Sequence, residues 1–245
     1  MTRLLEVRGL SKRFGGLQAV RDLSFDVGEG EIVGLIGPNG AGKTTVFALL
    51  SGFLRPDAGS VRFRGRVITG LKPHRINALG MVRTFQIVRP FPHLSVLRNV
   101  TVGALGRHPD PATAAARARA VLEEVGLAAK SAAPASALTL AERKRLELAR
   151  ALATEPALLL LDEVMAGLTP PETERIVELV RAINRRGITV LLIEHVMRAV
   201  MSLSQRLVVL NYGERIAEGR PEVVAGDPRV IEAYLGEEDA APAPA

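Results

Sequence analysis

The hydrophobic positions of this chain follow two different patterns in its first third. Residues 4–7 and 23–27 alternate apolar with polar or charged side chains, which is typical of half-buried strands. Residues 31–36 form a more continuous apolar run, and residues 44–51 have the pattern of a helix that ends before a glycine. In residues 60–69 a glycine separates two short alternating runs, which predicts a hairpin. The first third is therefore expected to hold antiparallel strands beside one strand–loop–helix unit.

The pattern becomes helical in the middle of the chain. Several prolines punctuate the start of this region, and residues 112–125 and 140–154 then carry apolar side chains at helical spacing. We therefore predict that residues 86–156 form a helical insertion between two stretches that are richer in strands.

A strand–helix alternation follows the insertion. Residues 157–161 and 188–193 are apolar runs of strand length, and a helix is predicted between them over residues 171–186. Such an alternation favours a parallel sheet with helices on its faces. Residues 206–218 are predicted as a hairpin and residues 221–235 as a helix.

Composition narrows the classes of function without selecting one. Hydrophobic residues make up 47% of the 245 residues, which supplies a sizeable core and excludes a wholly disordered chain. The absence of cysteine excludes disulfides, thiolate metal sites and a cysteine nucleophile. A formal net charge of +6 fits an anionic partner such as phosphate, nucleic acid or a membrane surface. No apolar run approaches the ~20 residues of a membrane helix, so any membrane role is expected to come through a partner.

The most specific local motif is a glycine-rich loop that fits G-x-x-x-x-G-K-[ST] between an apolar strand and a helix. It consists of Gly37, Pro38, Asn39, Gly40, Ala41, Gly42, Lys43 and Thr44. Glycines let backbone N–H groups surround anionic oxygens, and the helix N-terminus adds positive dipole. The Lys43 ammonium suits the β- and γ-phosphates, and the Thr44 hydroxyl suits Mg²⁺. The motif therefore predicts a nucleotide-binding site.

Two of the predicted apolar strands end in side chains that suit hydrolysis. Asp162 and Glu163 follow the strand at 157–161, and His195 follows the strand at 188–193. Ligands of open α/β sheets bind at the carboxyl ends of strands. Asp162 is suited to hold Mg²⁺ through water, and Glu163 to polarise the water that attacks a γ-phosphate. His195 is expected to contact the γ-phosphate or that water, although a lone histidine is also compatible with a structural role.

Taken in order, these residues resemble the ATP-binding subunit of an ABC transporter over nearly the whole chain. The motifs that carry the resemblance are GPNGAGKTT at 37–45, RTFQ at 83–86, LTLAERKRLELARAL at 138–152, LLLLDE at 158–163 and IEH at 193–195. Within the family the chain resembles the branched-chain amino acid uptake group. That closer likeness rests on FGGLQAV at 14–20, RTFQIVRPFPHLSVLRNV at 83–100, DEVMAGLTPPE at 162–172 and PRVIEAYLG at 228–236.

The resemblance implies an α/β fold with a P-loop NTPase core, a mainly parallel sheet, an antiparallel β subdomain and an inserted helical subdomain. Residues 1–85 and 157–236 are expected to form the nucleotide-binding catalytic core. Residues 86–156 are expected to form the helical subdomain with the family's signature, and residues 237–245 a flexible tail.

The resemblance also implies individual roles around ATP and Mg²⁺. Phe14 matches the aromatic residue that stacks on adenine, and Thr45 completes the phosphate loop. Gln86 matches the residue that reaches Mg²⁺ and the attacking water, and metal ligation is expected from Thr44, Gln86 and Asp162. Residues 90–100 are expected to face the coupling helix of a membrane subunit.

Two departures from the family pattern bear on the expected contact between subunits. The signature commonly reads Leu-Ser-Gly-Gly-Gln, whereas the matching stretch after Leu138 lacks glycine; its expected phosphate-facing residues are Thr139, Leu140, Ala141 and Glu142. Thr139 and Glu142 fit a capping box, which predicts that the Glu142 carboxylate turns back from the phosphate and leaves the helix dipole available. The second departure is Thr169, where many relatives carry Asp or Asn.

The resemblance implies a head-to-tail pair of cassettes, because one chain has one phosphate loop and one signature. The expected partners are a second ATP-binding subunit, identical or paralogous, membrane permease subunits and, indirectly, a solute-binding protein. The expected location is the cytoplasmic face of the cell membrane.

Two other functions stay open at this point. One is a soluble ABC-type ATPase acting on nucleic acid; because such proteins usually carry two cassettes and this chain has no internal repeat, no nucleic-acid partner is expected. The other is a weakly hydrolysing regulatory subunit, suggested by Ala141 and Thr169. The cargo is expected to be branched-chain amino acids, with amides, urea and aromatic acids as alternatives.

Overall fold

Two β-sheets organise the chain, for which the computed structural model describes residues 2–85 and 90–238. The strands are β1 (Arg3–Phe14), β2 (Leu17–Gly28), β3 (Ile32–Ile36), β4 (Ala58–Phe63), β5 (Arg66–Val67), β6 (Met81–Arg83), β7 (Leu158–Asp162), β8 (Thr189–Ile193), β9 (Arg206–Asn211) and β10 (Glu214–Gly219). The helices of the described residues are α1 (Lys43–Leu50), α2 (Pro73–Leu79), α3 (Val96–Ala104), α4 (Pro111–Glu124), α5 (Leu140–Leu152), α6 (Pro170–Arg185), α7 (Met197–Leu203), α8 (Pro221–Ala225) and α9 (Pro228–Glu238).

The larger sheet has the strand order β10-β9-β3-β8-β7-β6. All neighbours from β9 to β6 run parallel, and β10 pairs antiparallel with β9. Strands β3, β7 and β8 are buried at every residue, which explains their continuous apolar sequences. Because they are parallel, the loop after β3 and the polar residues that end β7 and follow β8 lie at the same edge of the sheet.

The smaller sheet is antiparallel, with the strand order β2-β1-β4-β5. Strands β1 and β2 span 12 residues each, so they extend well beyond the alternating runs at 4–7 and 23–27. Register shifts interrupt their pairing, and these irregularities break the alternation that a sequence pattern can detect.

The central strands separate two hydrophobic cores. In β3, Ile32 and Ile36 pack into the core shared with helices α3 to α7. Val33 and Leu35 point the other way, into the core formed with α1 and the smaller sheet. The phosphate loop therefore starts from a strand that is fixed on both faces.

The predicted α/β fold, with its parallel sheet and separate antiparallel sheet, is confirmed. Helices α3, α4 and α5 lie within residues 86–156, the range expected for the helical subdomain. The boundaries of the domains stay a prediction.

Some sequence expectations are wrong or incomplete. The single helix over 221–235 is two helices, α8 and α9, and the Asp227 carboxylate accepts the Arg229 N–H at 2.9 Å where the second one starts. Helix α9 extends to Glu238, and the flexible tail expected over residues 237–245 stays a prediction. Residues 239–245 lie outside the described part of the chain. Elements α2, β6 and α7 had no counterpart in the sequence prediction.

Candidate functional site

The loop between β3 and α1 needs glycine at both of its ends. Gly37 has a φ of +148°, and a Cβ there would lie 2.0 Å from the Leu210 carbonyl oxygen. Gly42 has a φ of +99°, and its Cβ would lie 2.3 Å from the Ala19 carbonyl oxygen. Backbone from other elements therefore closes on the loop so tightly that side chains at these two positions are excluded.

The first turn of α1 contributes no acidic side chain of its own. The N-cap of this helix is Gly42, which has no capping side chain. The Lys43 ammonium donates to the carbonyl oxygens of Gly37 at 2.6 Å and Pro38 at 2.7 Å, so it is held inside the loop. Backbone N–H groups, the helix dipole and this ammonium together favour an anion such as phosphate.

A neighbouring turn is attached to the loop and brings a tyrosine that sequence reasoning missed. The Gly213 N–H donates to the Ala41 carbonyl at 3.0 Å, and the Gly213 carbonyl accepts the Arg21 N–H at 2.9 Å. Tyr212, beside this glycine, is 83% exposed and lines the cleft above the loop. The hairpin predicted over residues 206–218 places a turn near Tyr212, but no local sequence pattern indicates that this turn lies against the phosphate loop.

A cleft of about 340 Å³ brings together most of the predicted site residues of one chain. Its lining includes loop residues 39–45, Phe14, Glu163, His195 and Tyr212. Phe14 is 44% exposed at the end of β1, and the Lys12 Nζ lies 5.6 Å from its ring centroid. The strand-end groups Glu163 and His195 thus lie in the same cleft as the glycine loop.

Glu163 and His195 are in direct contact. The His195 Nε2 and the Glu163 Oε1 are 2.9 Å apart. The Glu163 backbone has a φ of +50°, a left-handed conformation that is uncommon for a residue with a side chain. It is held there because its N–H donates to the Ile193 carbonyl at 2.9 Å and its own carbonyl accepts the Lys144 ammonium at 2.9 Å. Lys144 is buried, and it is a further residue that sequence reasoning did not select.

Asp162 lies below this pair and does not line the cleft. Its side chain is 2% exposed, and its Oδ2 is 2.7 Å from a terminal nitrogen of Arg83. Its backbone N–H donates to the Thr84 hydroxyl at 3.1 Å. Both contacts come from the neighbouring strand end at β6, so Asp162 is fixed in orientation by residues outside the cleft.

The oxygen donors of Thr44 and Asp162 are of the type that Mg²⁺ prefers. Within the described residues no group of three or more acidic or histidine side chains could hold a metal by itself. Mg²⁺ is commonly held by one or two protein groups plus substrate phosphates. The third expected ligand, Gln86, lies outside the described residues.

Two more buried acidic side chains accept backbone N–H groups next to the site. Burial raises the pKa of Glu194 to about 7, and its carboxylate accepts the Met165 N–H at 2.7 Å. Burial also raises the pKa of Glu147, whose carboxylate accepts the Phe85 N–H. Both carboxylates fix backbone segments that lead into or out of the site.

The signature segment forms the capping box that its sequence predicts. Thr139 is the N-cap of α5, and its hydroxyl accepts the Glu142 N–H at 3.3 Å. The Glu142 carboxylate accepts the Thr139 N–H at 3.0 Å and pairs with the Lys130 ammonium at 2.6 Å. The Lys130 hydrogen bond is the main cause that lowers the pKa of Glu142. Leu140 is 41% exposed, and residues 139–142 are not part of the cleft lining.

Thr169 uses its hydroxyl within its own chain. The Glu172 carboxylate accepts the Thr169 N–H at 2.9 Å and the Thr169 hydroxyl at 2.8 Å. Where many relatives carry Asp or Asn, this chain therefore has a neutral hydroxyl. That hydroxyl already donates to Glu172 at the start of α6.

Comparisons with known proteins show which family the chain resembles over most of its length. The family model described as ABC transporter matches residues 20–166, and a second, described as branched-chain amino acid ATP-binding cassette transporter, matches residues 214–240. The chain is 44% identical to the high-affinity branched-chain amino acid transport ATP-binding protein LivG of Salmonella typhimurium, over 96% of this chain and 98% of that protein. It is 43% identical to the corresponding BraF of Pseudomonas aeruginosa, with the same coverage.

Solved structures show the same likeness. One is the crystal structure of the ADP conformation of an ATP-binding cassette of an ABC transporter. It superposes on this chain with a TM-score of 0.88 and 32% sequence identity, and the match covers 96% of this chain and 100% of that one. Among the described residues, no helix combines the length and apolar character that crossing a bilayer requires.

Proposed function

We propose that this chain, which belongs to the family of ABC transporter ATP-binding subunits, is the ATPase that energises an importer of branched-chain amino acids or related small solutes. The proposal of cargo is supported by the names of its relatives and by the second family match in its C-terminal segment. The observation that carries the mechanism is the Glu163–His195 contact in the same cleft as the phosphate loop.

The proposed chemistry assigns separate tasks to the residues around that cleft. Loop N–H groups and Lys43 bind the β- and γ-phosphates, and Phe14 offers an exposed ring for the adenine. Glu163 accepts the proton of the attacking water. His195 orients the Glu163 carboxylate and contacts the γ-phosphate. Thr44, Asp162 and Gln86 would hold Mg²⁺, which supplies positive charge for the β- and γ-oxygens when bound.

Two chains, or this chain and a paralogue, are proposed to close head to tail. The start of α5 would then face the γ-phosphate bound by the opposite subunit, where its dipole and the N–H of Ala141 act in place of the commoner glycines. Residues 90–100 are proposed to face membrane permease subunits, with the pair on the cytoplasmic face of the membrane. A solute-binding protein would deliver cargo to those permeases.

The sharpest test of this mechanism is Glu163→Gln. The substitution keeps the size and hydrogen bonding of the side chain but removes the base, so ATP hydrolysis should fall roughly 10²–10⁴-fold while ATP affinity stays within about twofold. Phosphate release and equilibrium nucleotide binding measure the two quantities. Glu232→Gln, on an exposed position of α9, is the matched control. Normal turnover by Glu163→Gln would refute the assigned base.

The cargo is tested on the assembled transporter. Reconstituted with its permeases, the protein should show ATPase activity that rises with a solute-binding protein loaded with leucine, isoleucine or valine. Stimulation by an amide, urea or an aromatic acid, and none by these three, would reassign the cargo and leave the ATPase mechanism intact.

A further inference from the structure

Arg83 forms a buried ion pair with the carboxylate that is proposed to serve Mg²⁺. The contact to Asp162 Oδ2 is 2.7 Å, and the two side chains are only 9% and 2% exposed. Removing one partner of such a pair leaves an uncompensated charge in the interior, which is strongly destabilising. Asp162 therefore depends on Arg83 for its counter-charge whenever no metal ion is bound there.

Two aromatic rings lie near this guanidinium. Its central carbon lies 5.8 Å from the ring centroid of Phe47 on α1 and 5.4 Å from that of Phe85. The Arg83 Nε has no hydrogen-bond partner within the described residues. One carboxylate and two rings, rather than a dense hydrogen-bond network, therefore determine where the guanidinium lies.

The ring of Phe85, which lies near the Arg83 guanidinium, is partly exposed at the surface. Phe85 and Phe53 meet edge to face, with centroids 5.5 Å apart, and are 45% and 54% exposed. Both rings line a groove of about 420 Å³ together with Arg83, His74 and Arg107. Arg83 thus contacts Asp162 at one end and an exposed aromatic pair in a surface groove at the other.

We infer that Arg83 is a positioning residue that links the state of Asp162 to this groove; the inference rests on the proposed ATPase function. Where Asp162 also serves Mg²⁺, two cations share one buried carboxylate, and their repulsion weakens the Arg83 contact. Since the described residues offer the guanidinium few other partners, it shifts against Phe85. The aromatic pair then occupies a different position with and without the metal.

The first test compares thermal unfolding with and without Mg²⁺. All proteins carry Glu163→Gln, so that ATP persists. In EDTA, Arg83→Gln should lower Tm by roughly 5–10 °C because Asp162 loses its counter-charge. In Mg²⁺–ATP that deficit should shrink to less than half. Arg83→Lys, which keeps the charge, should unfold closer to the parent in EDTA.

Arg64→Gln is the matched control, because Arg64 also lies over a phenylalanine ring, that of Phe63 at 5.8 Å, but on the exposed turn after β4. Its Tm should differ little from that of the parent in either buffer. An equal deficit for Arg83→Gln with and without Mg²⁺ would mean that Arg83 only packs the core, and would overturn the inference.

The second test follows the groove directly. The chain contains no tryptophan, so Phe85→Trp introduces a single tryptophan, which can be excited selectively over the two tyrosines. With nucleotide bound, Mg²⁺ titration should change its emission, and adding Arg83→Gln should abolish the change. Val67→Trp, on exposed strand β5, should show no response.

The outcomes separate this inference from the proposed function. Loss of nucleotide binding by the parent protein would reject the ATPase. Intact nucleotide binding, with normal hydrolysis by the chain that keeps Glu163 and a Phe85→Trp signal that is silent or independent of Arg83, would reject only the link.

Discussion

The N-termini of α1 and α5 are built in opposite ways, although both are proposed to face phosphate. Helix α1 starts at a glycine with no capping side chain and no acid in its first turn. Helix α5 starts at Thr139 with a full capping box, and the Glu142 carboxylate lies in its first turn. At α1 a lysine of the same loop supplies positive charge, whereas at α5 Lys130 is engaged by Glu142.

The difference indicates how each helix end is used. An uncapped end leaves its N–H groups for a ligand, and Lys43 adds a positive charge that is held within the same loop. A capped end is stable by itself, so α5 can remain formed in a single chain before its partner arrives. The capping box also places the negative charge of Glu142 near the proposed position of the phosphate bound by the opposite subunit. The contact with Lys130 offsets that charge.

The largest expected effect belongs to the charge at α1. Lys43→Ala should weaken ATP binding about 100-fold or more, because charge-assisted hydrogen bonds to the phosphates are lost. Titration with a fluorescent ATP analogue measures this. Lys72→Ala, on an exposed position before α2, is the control and should bind normally. Unchanged affinity in Lys43→Ala would contradict the assignment of the loop.

The two helix ends should respond differently to an exchange between glycine and alanine. Gly42→Ala adds a Cβ 2.3 Å from the Ala19 carbonyl at a φ of +99°, so ATP affinity should fall roughly tenfold or more. The signature already carries alanine at position 141, so Ala141→Gly should change ATP binding of the single chain by less than about twofold. Equal sensitivity at the two sites would remove the distinction between them.

Lys130 provides a test of charge balance at α5. In a Glu163→Gln background, Lys130→Glu should weaken the ATP-driven pairing of cassettes about tenfold, because Glu142 gains a repelling neighbour instead of a partner. Light scattering across protein concentrations measures the dissociation constant. Combining Lys130→Glu with Glu142→Gln should restore most of the pairing. A dimer that is indifferent to Lys130 would show that Glu142 is too far from the phosphate to matter.

The smallest effect concerns the cap itself. Thr139→Ala should lower the free energy of unfolding by about 1 kcal/mol, or roughly 2–4 °C in Tm, since the Glu142 N–H loses its acceptor. Thr139→Ser should keep nearly all of the stability. Differential scanning calorimetry of the single chain is sufficient, and equal Tm values for the three proteins would argue against the cap.

The same contrast shows what the sequence could reveal about the site. The phosphate loop and the capping box are local patterns, so a few neighbouring residues specify them. The strand ends at Asp162 and His195 follow from the apolar runs before them. The Arg83–Asp162 pair joins residues 79 apart in the chain, and no periodicity predicts it. Strand β6 was missed because three residues are too few to establish an alternation.

The hydrogen bond from Lys144 to the Glu163 carbonyl has a mechanical consequence. Lys144 belongs to α5, and Glu163 is the residue immediately after β7, so one contact of 2.9 Å ties the signature helix to the peptide of the proposed base. A rotation of α5 that exceeds the reach of the Lys144 side chain would break that bond or turn the Glu163 backbone with it. An ATP molecule bound by one subunit would thereby affect the orientation of the Glu163 carboxylate in the other subunit.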